Sequence, residues 1–248
     1  MSQVNPTGIN INPTEININP TETGKNPKKI PAILIAGGRP RDPDAMAKMM
    51  SYAFKGIQKP VVAYIGTANG DNPAFFMMMK ILLKKAGAEK VIFVHLAKEK
   101  PNLEAAKKVL TNADLIFLSG GEVEDGMNWL NKHGLVTFLS DLYNAGKRFM
   151  GVSAGVIMMG THWVRFPGND TSELFDCLGI IPLLFDVHGE DEDWVELKAA
   201  LKLMGDGARG YALPRECMIS ADSQGTLINL SKEYLVFVNE DNRVFLET

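Results

Sequence analysis

Lys147-Arg148-Phe149-Met150-Gly151-Val152-Ser153-Ala154-Gly155-Val156 is the stretch on which the rest of the chain turns. An apolar strand runs directly into Gly-x-Ser-x-Gly, and a helix-compatible run, Val156-Ile157-Met158-Met159, follows it. Strand, sharp turn and helix are the context in which this pattern forms a nucleophile elbow, lifting a serine hydroxyl clear of a sheet. Small residues flank such a turn because the backbones approach closely there. The five residues alone describe equally well a tight strand-to-helix turn that happens to contain serine, so the surrounding chain has to decide.

Upstream, short apolar strands at 31–36, 61–65, 90–94 and 115–118 alternate with helical patterns. The first helix spans 42–56, with Asp42 as its cap and Pro43 in its first turn. Another starts at Asn72 or Pro73 and stops at Gly87. Further helices are predicted over 103–112, 125–131 and 134–144. Continuous apolar strands alternating with helices predict a parallel sheet covered on both faces. Sites in such sheets lie beyond the carboxyl ends of the strands. Gly37-Gly38, Gly66 to Gly70, Gly120-Gly121 and the elbow all fall at such ends, so they are expected to share one crevice. Downstream the pattern changes. An apolar run over 174–185 leads into Asp186-Val187-His188, an acidic helix-like stretch covers 190–204, and five short strands between 210 and 246 read as an antiparallel β meander. The expected fold is therefore α/β, a three-layer sandwich with a mostly parallel central sheet and a C-terminal antiparallel meander.

The chain has 248 residues, 46% hydrophobic and 22% charged, with a formal net charge of −3, which excludes the basic surface expected of a nucleic-acid binder. No apolar run approaches the ~20 residues of a membrane span. The N-terminus lacks the basic start and apolar centre of a signal peptide, and Cys177 and Cys217 are too few for a disulfide framework. A cytoplasmic location is the default expectation, and a homo-oligomer is compatible with the sequence. Residues 1–29 differ from the rest: Gly8 to Glu15 and Ile16 to Glu22 repeat Ile-Asn-Ile-Asn-Pro-Thr-Glu, an Asn/Thr/Pro-rich composition that reads as a disordered low-complexity tail. Residues 30–248 read as one α/β domain.

A serine hydroxyl attacks only when a base accepts its proton. Of His95, His133, His162 and His188, the last ends an apolar run downstream of the serine and ranks first; His162, just after the elbow helix, ranks second. His133 precedes Gly134 at a helix C-terminus, and His95 ends a strand, so both read as structural. Asp170, Asp186 and Glu216 are candidates to orient the imidazole. An oxyanion needs two backbone N–H groups aimed at one point. Ala154 supplies one, and the Gly120-Gly121 turn is the best source of the other.

Taken together, Leu115-Ile116-Phe117-Leu118-Ser119-Gly120-Gly121, Gly151-Val152-Ser153-Ala154-Gly155, Asn169-Asp170, Asp186-Val187-His188 and Gly210-Tyr211-Ala212-Leu213-Pro214 form an ordered set. The set resembles the serine peptidases of the peptidase E (aspartyl dipeptidase) and cyanophycinase group, which share the flavodoxin-like fold of class I glutamine amidotransferases. The resemblance implies Ser153 as nucleophile, His188 as general base, and Gly121 and Ala154 as the oxyanion hole. The acid would be Asp170, or Glu216 from the Leu-Pro-Arg-Glu segment. Gly120, Glu122 and Arg39 would contact a small peptide or amide substrate, with neither metal nor cofactor required. The chain departs from the family in having Glu122 where Asn usually follows the Gly-Gly pair, and Val187 and Gly189 where Pro and Phe often flank the histidine. Carboxylates at Glu122, Glu124 and Asp125 would repel an aspartyl substrate, which Arg39 and Arg41 could offset. Serine rather than cysteine at the elbow disfavours glutamine-dependent ammonia transfer. The first expectation is a serine hydrolase cleaving small peptides or isopeptide-type bonds; the alternatives are a catalytically inactive small-molecule-binding or regulatory protein on the same fold, and an esterase.

Overall fold

The computed structural model describes residues 31–37, 42–168 and 171–247. Five parallel strands form the centre: β1 (Ala32–Ile35), β2 (Val61–Ile65), β3 (Lys90–Val94), β4 (Leu115–Leu118) and β5 (Arg148–Val152). Alternate side chains of these strands go to two separate cores. Ala32, Leu34, Ile116, Leu118 and Phe149 face α3 (Leu103–Asn112), α4 (Val123–Lys132), α5 (Val136–Asn144) and α6 (Ala154–Met159). Ile33, Ile35, Leu115, Phe117 and Met150 face α1 (Pro43–Ser51) and α2 (Pro73–Ala86). Both faces being buried is why the strands read as unbroken apolar runs. The caps follow the sequence: Asp42 accepts from the Asp44 N–H, Asn72 from those of Ala74 and Phe75, and Gly87 closes α2 at φ 118°.

Two other substructures complete the described chain. A hairpin of β6 (His162–Gly168) and β7 (Thr171–Asp176) follows α6. Then β8 (Leu184–Val187), α7 (Val195–Met204) and β9 (Arg209–Leu213) lead to β10 (Met218–Ala221), β11 (Leu227–Asn229), β12 (Leu235–Glu240) and β13 (Arg243–Leu246). The C-terminal antiparallel strands are present, but they divide between two sheets. β10 and β11 extend the central sheet beyond β1, giving the order β11-β10-β1-β5-β4-β2-β3, whereas β13-β12-β9-β8 is a second sheet in which β8 and β9 run parallel. α7 packs on that sheet through Leu197, Ala200 and Leu201 against Leu184, Ala212 and Phe237. The second sheet matters for chemistry because β8 carries its C-terminal residues to the elbow at the end of β5. No helix among the described residues is long and apolar enough to cross a membrane.

Candidate active site

Ser153 follows β5 with φ 55° and ψ −124°, a positive-φ conformation that a non-glycine residue adopts at a cost of about 1–3 kcal/mol. Its N–H is held by the carbonyl of Ile35, at 3.1 Å. The glycines of the motif have steric causes. A Cβ on Gly151 would lie 2.6 Å from the Gly155 carbonyl oxygen, and one on Gly155 would lie 2.2 Å from that of Leu118. Without those side chains, α6 packs directly on the ends of β4 and β5. All six of its residues are buried, and this packing holds the strained turn in place.

His188 directly follows β8. Its N–H donates to the carbonyl of Leu213 at 2.9 Å, and its φ is 44°. The imidazole Nε2 lies 2.8 Å from Ser153 Oγ. Gly189 is explained by the indole of Trp194: a Cβ at 189 would come within 2.9 Å of that ring. Trp194 is buried at φ 55°, and its N–H returns to the Gly189 carbonyl at 3.0 Å, so the turn after the histidine is closed by a tryptophan.

The Gly120-Gly121 turn lies beside the serine. A Cβ on Gly120 would sit 3.1 Å from Ser153 Cβ. Gly121 has φ 143°, and a Cβ there would fall 2.0 Å from the Ala68 carbonyl oxygen, so only glycine fits. The neighbouring Glu122 N–H is spent on that same carbonyl at 2.7 Å, whereas the Gly121 N–H donates to no described backbone carbonyl. Ala154, first residue of α6, is one of the helix positions with no intrahelical acceptor for its N–H. Ser153, His188, Gly121 and Ala154 all line one cleft of about 310 Å³. Gly37 packs against Ser153 from below, and the turn Thr67–Asn69 backs the Gly120-Gly121 loop, so the glycine-rich strand ends do gather here.

The mouth of the cleft is acidic. Glu122, Asp186, Asp191, Glu192 and Glu196 line it, and among the described residues Arg215 is its one permanent cation. Arg215 is already engaged: its Nη2 donates to Asp191 at 2.6 Å and its N–H to Glu190 at 2.5 Å. Asp186 is buried, accepting from the Val187 N–H at 2.7 Å, and burial followed by the nearby Glu196 pushes its carboxyl up to about 7. Glu196 accepts from the Trp163 indole at 2.8 Å, and it too is raised, first by burial.

The other expected residues are distributed as follows. His162 faces Asp176 across the hairpin at 3.4 Å and is not at the serine. His133 caps α4 and meets the Leu96 carbonyl at 3.0 Å; His95 is exposed and stacks on Phe93. Glu216 is exposed in the turn between β9 and β10, and among the described residues no carboxylate oxygen comes within 4.0 Å of a His188 ring nitrogen. The structure therefore does not bring Glu216 or Asp186 to the imidazole. Arg39, Arg41, Asp170 and residues 1–29 lie outside the described residues. The expected acidic mouth needs correction in detail. Glu122 does line the cleft, but Glu124 is neutralised by Arg165 of β6 at 3.0 Å, and Asp125 belongs to a separate surface depression with Glu99 and Lys132. The carboxylates that replace them are Asp186 and, from the acidic stretch over 190–204, Asp191, Glu192 and Glu196. Sequence pattern alone does not pick out Trp163, Trp194 or Asn69; Trp163 adjoins His162 and Trp194 falls six residues after His188, in a chain with three tryptophans. Among the described residues no group of three or more His, Cys, Asp or Glu is arranged to hold a metal ion.

Comparison with known proteins bears on the family and the fold. A family model described as Peptidase family S51 matches residues 32–228. No curated protein sequence matches significantly. Similar solved structures include a peptidase from an acI-B1 Actinobacterium, 17% identical with a TM-score of 0.58, covering 88% of this chain and 93% of that one. Another is a Listeria monocytogenes EGD-e protein named for peptidase E, 15% identical with a TM-score of 0.61, covering 82% of this chain and 98% of that one. At these identities the structures establish the shared fold.

Proposed function

From the premise that the chain belongs to peptidase family S51, and is a serine-type peptidase, we propose that it hydrolyses small peptides or isopeptide-type bonds through Ser153 and His188. The observation that carries this reading is the 2.8 Å contact of Ser153 Oγ with His188 Nε2 at the mouth of an elbow turn. With its proton on Nδ1, the imidazole accepts the serine proton at Nε2 as Oγ attacks the carbonyl carbon. The N–H groups of Gly121 and Ala154 stabilise the negative charge that develops on the carbonyl oxygen. His188 then returns the proton to the departing amine. Water attacks the acyl-enzyme by the same route and frees the serine. Asp170, nominated by the resemblance, is the proposed partner of the imidazole Nδ1.

The cleft also supports a substrate preference. Beyond the Asp191–Arg215 pair, Glu122, Glu192 and Glu196 line the cleft, so a peptide carrying positive charge is favoured over an aspartyl one. The test is a panel of dipeptides differing only in the charge of the N-terminal residue. Wild type should show higher kcat/KM for the cationic members, with the advantage shrinking as salt screens it. Ser153→Ala should lose about 10⁴-fold or more in kcat. Equal hydrolysis by wild type and Ser153→Ala would overturn the mechanism; a preference for aspartyl peptides would overturn the assignment of substrate charge.

A further inference from the structure

The turn behind the oxyanion loop contains one side chain that the reaction has not yet used. Asn69 Nδ2 donates to the Gly120 carbonyl at 2.9 Å and to Ser119 Oγ at 3.1 Å, and it lies 3.4 Å from the Tyr64 hydroxyl. The Tyr64 hydroxyl in turn donates to Ser119 Oγ at 2.8 Å. Asn69 is itself fixed: its N–H donates to the Gly66 carbonyl at 3.0 Å, and its Oδ1 accepts from the Asn72 N–H at 3.1 Å.

These contacts decide which way one peptide faces. In a trans peptide the carbonyl of one residue and the N–H of the next point to opposite sides. The Gly120 carbonyl turned toward Asn69 therefore turns the Gly121 N–H away from it, toward the cleft that Gly121 lines together with Ser153. Two glycines in sequence would otherwise let this peptide flip at little cost. The Ala68 carbonyl, accepting from the Glu122 N–H, holds the far end of the loop but leaves the Gly120-Gly121 plane unspecified. Asn69 does not line the cleft.

We infer that Asn69 is a positioning residue for hydrolysis: its side-chain amide clamps the Gly120 carbonyl so that the Gly121 N–H is aimed at the developing oxyanion. The inference rests on the serine-peptidase reading of Ser153 and Gly121. A preset donor acts on the transition state and little on the bound substrate, so its loss should appear in kcat and not in KM.

The decisive variant is Asn69→Asp, which keeps an oxygen for the Asn72 N–H but replaces the donor to Gly120 by an acceptor that repels that carbonyl. Losing an oxyanion donor outright costs about 10²–10³ in kcat, so misaiming one is expected to cost roughly 10–100-fold with KM within about twofold. A peptide aldehyde, whose hemiacetal oxygen occupies the oxyanion position, should lose affinity by the same factor as kcat/KM, while a product peptide binds as before. Tyr64→Phe breaks the neighbouring hydroxyl contact but leaves the amide on Gly120, and should stay within about threefold of wild type. The inference is overturned if Asn69→Asp keeps wild-type kcat, if aldehyde and product weaken together, or if Tyr64→Phe does equal damage. Ser153→Ala run alongside separates the two levels. If it retains full activity, the serine reading and this inference fall together; if it is dead while Asn69→Asp is normal, only the role of Asn69 falls.

Discussion

Asp186→Asn should make the protein more stable at neutral and alkaline pH by an amount that can be worked out beforehand. The Asp186 side chain is buried at the end of β8, and its carboxyl stands at about 7 against an ordinary value of 3.8. Burial is the main cause; Glu196 and, less strongly, Glu192 add to it, while hydrogen bonds from the Val187 and Leu197 N–H groups oppose it. Between 3.8 and about 7 the native state holds a proton that the unfolded chain has released. Stability from this group is thus fully present at low pH, falls as pH rises through that window, and is gone above about 7. At about 1.4 kcal/mol per pH unit the total is on the order of 4 kcal/mol. Asparagine keeps an acceptor for the Val187 N–H and cannot ionise. The stability difference, variant minus wild type, should therefore climb across the window and level off above it. The assay is urea unfolding of both proteins from about pH 4 to about pH 8, supported by thermal midpoints that should separate by roughly 10 °C at the upper end. Glu196→Gln in the wild-type background should flatten the wild-type slope in part. A difference that stays level, or that falls with pH, would refute the account of Asp186 as a carboxyl kept neutral by its surroundings.

Two further outcomes follow from other parts of the chain. Gly121→Ala forces a Cβ to 2.0 Å from the Ala68 carbonyl oxygen at φ 143°. It should shift the loop and cost about 10²-fold or more in kcat, and activity within threefold of wild type would show that the loop's position does not matter. Cys177 and Cys217 are both buried, with thiols pushed up to about 12 chiefly by that burial. Iodoacetamide should therefore leave the native enzyme active and unlabelled by mass spectrometry, with both thiols reacting once it is unfolded; loss of activity on treatment of the folded protein would refute this.

The parallel sheet and its flanking helices were legible because its strands read as unbroken apolar runs and three helix starts carry a side-chain cap, at Asp42, Asn72 and Asn102. What the sequence hid was pairing. β6 contains Pro167, and a proline inside a short run argues against a strand. The hairpin accommodates it through a register shift between Arg165 and Gly168. The C-terminal strands read as one meander because their spacing is even, but spacing carries no information about partners. β10 joins β1 and β9 joins β8, and both choices are made by burial against distant elements. The acidic stretch over 190–204 read as one helix start. Consecutive left-handed residues, Asp193 at φ 51° and Trp194 at φ 55°, instead break it, and α7 begins only at Val195.

That break is what separates the two kinds of site residue. Ser153, Gly121 and Ala154 could be found in the sequence because their geometry is local: a glycine at a steric contact or a serine between two glycines leaves its mark within five residues. His188 was legible for the same reason, at the end of its strand. The residues that give the cleft its charge and hold its donors in place act across the fold. Glu196 enters the mouth only because the chain reverses at Asp193 and Trp194, which turns an apparently solvated carboxylate toward Trp163. Asn69 reaches Gly120 only because β2 and β4 are neighbours in the sheet, with Ile65 opposite Leu118, so that the turn after one strand abuts the loop after the other. Strand order is the one feature of a parallel sheet that apolar periodicity cannot encode. It follows that Ser153 and His188, which meet at the elbow, were legible from the sequence, while the residues packed around them became visible only once strand order was known.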